Sequence, residues 1–570
     1  MEYTVTKIRR RRLAVAALKR VLHTEVLSFR CGWQVGLMAL LVLALCAPPA
    51  GATEPGFRPG VYVGGTGHPP QFVFTRLEVK SADGGALSAT MTQPVDRAGE
   101  FAVKILRADA SRLQFASGGE TFDLRRSETG YAGSARDAKG VFRSAALVLR
   151  DWAPAERLED YEGVYDLGGG KTIALGLGNQ KSGFFYLERP SELTGVAIGL
   201  SPVEFIAGDC FYCVDPVRLR FKVVFDKAGK VSGLMVRESG KEVFAPRLDL
   251  YREERITFLN PAGVQLAGSL FLPSVPGPHP AVVIGHGSGA QSRHGFYARI
   301  RFMADAYARR GIAVLAYDKQ GVGDSKGDWE EERFEALAED VAAGLRYLKT
   351  RPEIDAKRLG LSGSSQAAWI LPRAARLVPG VRFIQLRAGA APMKVEQQER
   401  LRLLAQMRAD GFPQTEIDRA MRMRGLIDEW AKTGRNKDEM TAEWASVEKE
   451  DWAGYIDGLP SGDGAWLRDA FAFDAAPDLI AFTGAFQTLF GALDPITPTK
   501  EARPMLEAAL SKSRITDAEV TVVAGANHDF MLARTGGEKE IFNLSRFVPR
   551  HHDDVVEWAA RRFELPPRQP

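Results

Sequence analysis

Three serines fall within four residues of one another in Leu359-Gly360-Leu361-Ser362-Gly363-Ser364-Ser365-Gln366-Ala367-Ala368, and an apolar helix start follows at Trp369. A serine hydroxyl turns nucleophilic when it stands on a tight strand-to-helix turn. The residues two before and two after it must then be small, because the backbones nearly touch there. Ser365 meets this condition with Gly363 and Ala367, whereas Ser364 would place Gln366 in the second tight position. Ser362, between Gly360 and Ser364, is conceivable but would leave only a stub of strand; inside a buried strand it contributes packing alone. Taken without context the string is weak, since ordinary loops also carry it.

Such a nucleophile needs a base, an acid to orient the base, and donors for the oxyanion. Ile284-Gly285-His286-Gly287-Ser288-Gly289 follows the first core strand, and its small residues let a backbone N–H approach a substrate oxygen. The donors are assigned to the N–H groups of Ser288 and Gln366, against the bland alternative of a glycine-rich turn. His286 is read as a structural residue that orients this loop. Of the histidines beyond Ser365, His528 lies after the last strand through Gly525-Ala526-Asn527 and is the expected base. His551 and His552 sit beside a terminal amphipathic helix and are expected on the surface. Asp494, in Phe490-Gly491-Ala492-Leu493-Asp494-Pro495, is the expected acid; Asp529 is too close to the base in sequence, and Asp517 precedes the strand.

The elements that would position these residues alternate strand with helix after Arg252. Strands are expected at Ile256 to Asn260, Val264 to Leu272, Ala281 to Ile284, Ile312 to Tyr317, Leu359 to Ser362, Phe383 to Leu386, Phe486 to Phe490 and Val520 to Val523. Helical patterns between them, such as Glu331 to Leu348, imply a mostly parallel sheet. From about Pro392 to Ile480 the alternation stops. Charged helical segments (Val395 to Ala409, Gln414 to Ala431, Thr441 to Tyr455) read there as an inserted cap over the site. From Gly60 to Leu250 short alternating runs between Gly- and Asp-rich turns read as all-β. Gly163-Val164-Tyr165 echoes Gly60-Val61-Tyr62 and hints at two β-subdomains.

With these motifs, and with Tyr317-Asp318-Lys319-Gln320-Gly321-Val322-Gly323-Asp324-Ser325, the chain resembles the α/β-hydrolase superfamily over about Glu254 to Leu565, in particular secreted bacterial serine esterases with a separate N-terminal domain. The resemblance implies an α/β-hydrolase fold and the triad Ser365, Asp494 and His528. It implies ester hydrolysis through an acyl-enzyme on Ser365, with a small-molecule ester as substrate and no metal or other cofactor. Relatives include thioesterases and peptidases, and a non-catalytic envelope-binding protein is the rival outside enzymes. Two departures from the family pattern stand out: Ser364 where His is common, and Ala367 where Gly is usual.

Residues 1–52 read as a signal peptide, with a basic region, an apolar run from Val35 to Leu45 and the small-x-small site Ala50-Gly51-Ala52. That run is far short of the roughly 20 residues that cross a bilayer. The expected domains are the signal at 1–52, an all-β region at 54–250, and the hydrolase domain at 252–570 with its cap at about 392–480. A periplasmic or secreted location follows, with lipidation at Cys46 as a minor alternative. The net charge of +4 owes eight Lys/Arg to that segment, against Glu2 and Glu25. Nothing in the remainder suggests nucleic acid. Cys210 and Cys213 are read as a local disulfide or two free thiols, with no second pair to complete a zinc site.

Overall fold

The computed structural model describes residues 57–567 apart from 67–72, 82–86, 94–96, 127–129, 138–141, 151–158, 180–183, 202–203, 209–218, 239–240, 331, 457–463, 541–543 and 545. Residues 1–52, Cys210 and Cys213 lie outside the described residues. The chain divides into two compact units. One contains Glu162–Thr194 and Leu248–Pro570; the other contains the described residues before Glu162 and Gly195–Arg247.

The first unit is built on an eight-stranded sheet of β1 (Tyr251–Leu259), β2 (Gln265–Pro273), β3 (His279–Gly285), β4 (Ala313–Tyr317), β5 (Ile354–Ser364), β6 (Phe383–Arg387), β7 (Ala485–Gly491) and β8 (Ala518–Val523). Their spatial order is β1-β2-β4-β3-β5-β6-β7-β8. The pairs β1/β2 and β2/β4 are antiparallel, and every later pair is parallel. Strands β3, β4 and β6 are buried along their whole length. That is why they read as short, mostly apolar runs, with Gln385 and Arg387 of β6 buried among them: a parallel sheet covered on both faces has no solvent side to alternate with.

Helices α1 (Arg299–Arg309), α2 (Phe334–Lys349) and α3 (Ala367–Leu377) supply the cover. On one face Leu337 and Val341 of α2 and Ile370 and Leu371 of α3 join the core. On the other, Met303 and Tyr307 of α1 meet Val555 and Trp558 of the last helix. Between β6 and β7 the chain leaves the sheet for α4 (Val395–Ala409), α5 (Gln414–Thr433), α6 (Lys437–Val447), α7 (Ala465–Ala472) and α8 (Ala476–Ala481). The expected helix from Thr441 to Tyr455 is two pieces, with α6 ending at Val447 and a single 3-10 turn at Ala453–Ile456. After β7 follow α9 (Thr499–Leu510) and, after β8, α10 (His551–Arg562).

The same unit contains the antiparallel strands Gly163–Gly168, Lys171–Leu177 and Phe184–Arg189. Gly176 lies so close to α1 that a Cβ there would come within 3.1 Å of both the Ala298 Cβ and the Arg301 side chain.

In the second unit nine antiparallel strands form one sheet, in which Gly60–Thr66 pairs with both Val73–Ser81 and Phe142–Arg150. Burial alternates along Arg112–Ser117, so one face carries the core of Tyr62, Leu113, Phe115, Phe122 and Tyr131. A further meander runs through Glu204–Gly208, Leu219–Phe225, Val231–Glu238 and Lys241–Leu248.

Candidate active site

Strand β5 ends at Ser364 and α3 begins at Ala367, leaving Ser365 and Gln366 as the whole of the turn. Ser365 has φ 56°, the left-handed region that costs an L-residue about 1–2 kcal/mol. Its N–H donates to the Arg387 carbonyl on β6 at 2.9 Å, and its own carbonyl accepts from Ala368 at 3.0 Å. The strained turn is thus pinned from both sides. A Cβ on Gly363 would come 2.5 Å from the Ala367 Cβ, so the tight approach expected of these two positions is present and the extra methyl of Ala367 already fills it.

Asp494 follows β7 and His528 follows β8. The His528 Nδ1 lies 2.9 Å from one Asp494 carboxylate oxygen and 3.1 Å from the other. Asp494 also accepts the N–H groups of Ile496 and Thr497 at 2.8 and 2.9 Å, which fixes its carboxylate. Burial pushes the imidazole pKa down, but the Asp494 charge and hydrogen bond outweigh it and leave the pKa above its ordinary value. Asn527 caps the histidine loop by accepting the N–H groups of Asp529 and Met531 at 3.0 and 2.9 Å. The two aspartates set aside from the sequence are engaged elsewhere: Asp529 pairs with Arg299, and Asp517 with Arg562.

The loop after β3 passes over the nucleophile, since a Cβ on Gly287 would stand 3.6 Å from the Ser365 Cβ. Ser288 is exposed and Gln366 buried. Among the described residues neither backbone N–H donates to a backbone carbonyl. His286 is buried, holds the Tyr317 carbonyl through Nε2 at 2.7 Å, and is pushed down to about 3 by burial and by Lys319. A ring so hard to protonate, with one nitrogen committed to a backbone carbonyl, is a weak base and is tied into the loop. Lys319, quoted in the sequence only as part of a motif, is buried against this loop and bonds to both Gly287 and Gln366.

Ser362 does more than pack. Its hydroxyl is 3.1 Å from the Tyr307 hydroxyl of α1 and accepts from the Arg387 guanidinium at 3.1 Å, buried where α1 covers the sheet. His551 and His552 are buried, contrary to the surface expectation. His551 stacks between Phe530 and Phe547, and His552 holds Glu192 at 2.8 Å.

The helical insertion reaches the site at two places. Gln398 of α4 donates to the Ile496 carbonyl in the acid loop, and Asp410 accepts the N–H groups of Glu538 and Lys539, beyond the histidine loop, at 3.0 and 3.1 Å. Among the described residues no group of three or more His, Cys, Asp or Glu is placed to hold a metal ion, and no helix is long and apolar enough to cross a membrane.

Residues 276–534 match the family model described as serine aminopeptidase, S33. The chain is 27% identical over 189 residues to Esterase EstD of Thermotoga maritima, covering 32% of this chain and 44% of that protein. It is 32% identical over 111 residues to Thiohydrolase aneE of Aspergillus aculeatus, covering 19% and 33%. The chain therefore spans less than half the length of these relatives. Among solved structures it is similar to a Pyrococcus furiosus esterase, with 16% identity, a TM-score of 0.34, and 55% of this chain and 90% of that chain covered. A dienelactone hydrolase from Anabaena variabilis gives 15% identity, a TM-score of 0.33, and coverage of 55% and 98%. The sheet order, the helices on both faces and the helical insertion are those of an α/β-hydrolase fold, and the N-terminal region carries all-β sheets.

Proposed function

We propose that this chain is an exported serine hydrolase that cleaves carboxylic esters of small molecules. His528 takes the Ser365 proton as the hydroxyl oxygen attacks the ester carbonyl, and the N–H groups of Ser288 and Gln366 bind the resulting oxyanion. The alcohol leaves with the proton from His528. Water then attacks the acyl-enzyme by the same route, releasing the acid and restoring Ser365. Asp494 stays ionised, sets the imidazole tautomer and stabilises its charged form. The single observation that best supports this reading is the conformation of Ser365, because a left-handed serine between strand and helix is costly and is held there by hydrogen bonds to Arg387 and Ala368.

The test is covalent labelling with a fluorophosphonate, followed by peptide mapping. The adduct is expected on Ser365 and to be nearly absent in His528→Ala, and Ser365→Ala should lower turnover by roughly a thousandfold or more. An adduct on Ser362 or Ser364 would overturn the register. The description of the matching family favours a second reading, a peptidase of the same machinery. A panel of simple esters against peptide anilides separates the two. Export rests on the N-terminal pattern, and N-terminal sequencing of the exported form should find Thr53 first.

A further inference from the structure

Lys319 is 3% exposed and carries its ammonium into the protein beside the catalytic turn. It donates to the Gly287 carbonyl at 2.9 Å and to the Gln366 side-chain oxygen at 3.0 Å. These are the two places on which an oxyanion hole here depends. The carbonyl of Gly287 and the N–H of Ser288 belong to one peptide group, which is planar and trans, so they point in opposite directions. With the carbonyl turned inward to Lys319, the N–H must face outward, and this peptide lies over Ser365. The far side of the loop is tied as well: Gln291 donates through Nε2 to the Ser288 carbonyl at 2.9 Å, while its own carbonyl accepts the Lys319 N–H at 3.1 Å.

We propose that Lys319 is a positioning residue of the oxyanion hole, its ammonium fixing the Ser288 N–H toward the cleft and anchoring Gln366, the residue that supplies the second donor. The role rests on the acyl-enzyme reading above and adds to it a group that never touches substrate. A positive charge on the carbonyl side of a peptide also polarises it, making its N–H a better donor to a developing oxyanion than to a neutral ester. The effect therefore belongs to the transition state, not to ground-state binding.

The electrostatic surroundings give the role a pH signature. Burial pushes Lys319 down to about 8, with Glu332 and Asp340 pulling the other way. Glu332 and Asp340 face it from α2 and the turn before α2, and His286 faces it from the oxyanion loop. Burial and the Lys319 charge keep the His286 pKa low, and burial raises that of Glu332. Lys319 is charged below its pKa and neutral above it, so oxyanion stabilisation is present below about 8 and fades above it.

The experiment compares the full-length wild type with Lys319→Met for kcat and KM on an activated ester, and for affinity toward a trifluoromethyl ketone. That ketone adds to a serine and leaves its oxyanion in the hole. The variant should lose about tenfold to a hundredfold in kcat and in ketone affinity together, with KM nearly unchanged, less than the loss of a donor itself. Wild-type kcat and ketone affinity should both decline above pH 8, and the variant should lack that limb. If that variant fails to fold, Lys319→Gln takes its place with the same readouts, and unchanged kcat and ketone affinity in a folded Lys319→Gln overturn the role. Fluorophosphonate labelling of Ser365 with unchanged kcat and ketone affinity in Lys319→Met overturns this role alone. Absence of labelling in the wild type overturns the nucleophile and this role together.

Discussion

His528 illustrates how a side chain's task is set by opposing terms. Burial favours the neutral ring and the Asp494 carboxylate favours the charged one; the carboxylate wins, so the pKa lies above that of a free imidazole. On the proposed mechanism His528 must be neutral to accept the serine proton, so kcat/KM should rise with pH through a midpoint above the ordinary value of about 6.5. Asp494→Asn removes the term that raises the pKa and leaves burial in control. The midpoint should move to lower pH, and the plateau should fall by roughly a thousandfold or more because the tautomer is no longer held. A pH–rate profile of both proteins measures the shift, and an unmoved midpoint would show that another group titrates. The positions of Ser365, Asp494 and His528 at strand ends were legible from sequence because each stands in a loop with a recognisable string around it. Lys319 was not, since nothing in the string says that its long side chain turns inward.

Among the elements, the β5–turn–α3 unit carries a close steric tolerance. Its limits are set by two small residues. Gly363→Ala would drive a methyl to 2.5 Å from the Ala367 Cβ and 3.0 Å from the Gly285 carbonyl oxygen. Overlap of that size costs on the order of 1–3 kcal/mol in a packed core, and here it acts on the turn that aims Ser365. The single variant should fold with a lowered Tm and lose most fluorophosphonate reactivity. Ala367→Gly should by itself be nearly silent, and in combination it should restore part of the lost reactivity, because it removes the nearer clash and leaves the carbonyl contact. A double variant no better than Gly363→Ala would locate the strain elsewhere. The strands of the eight-stranded sheet were legible because buried strands are short, mostly apolar runs punctuated by Gly and Pro, and the inserted helices because they break that rhythm. The break between α6 and the turn at Ala453–Ile456 was not, since the charged pattern continues across it. The burial of His551 and His552 was hidden for another reason: the start of an amphipathic helix looks exposed until its partners are known, and the carboxylate holding His552 is 360 residues away.

At the scale of the molecule, the hydrolase unit draws on a stretch of chain far ahead of its sheet. Asn179 accepts the Ser292 N–H at 2.6 Å and donates to the Ala290 carbonyl at 2.7 Å, clamping the loop that carries Ser288. Glu162 is fully buried and accepts the Leu177 N–H at 2.8 Å. Burial alone would raise its pKa, but Arg301 and His294 hold it down to about 2. Glu192 and His552 form a pair in which both side chains are 2% exposed. Glu162 also pairs with the buried Arg301 guanidinium; removing one member of such a buried ion pair costs about 3–5 kcal/mol, and a whole domain is stable by only about 5–15 kcal/mol. A fragment beginning at Tyr251 would lose Glu162, Asn179 and Glu192 together, so we expect it to be insoluble or to lack a cooperative melt, with Ser365 unlabelled by fluorophosphonate. A fragment beginning at Glu159 keeps all three, as well as the Arg247 hydrogen bond to the Asp160 carbonyl at 3.0 Å. It should melt cooperatively and label, although the nine-stranded sheet before it is gone. Thermal unfolding followed by circular dichroism, with labelling of the two fragments beside the full chain, distinguishes them. If the fragment from Tyr251 melts within a few degrees of the full chain and labels equally, then Glu162–Thr194 is an accessory to the hydrolase unit and not part of its core.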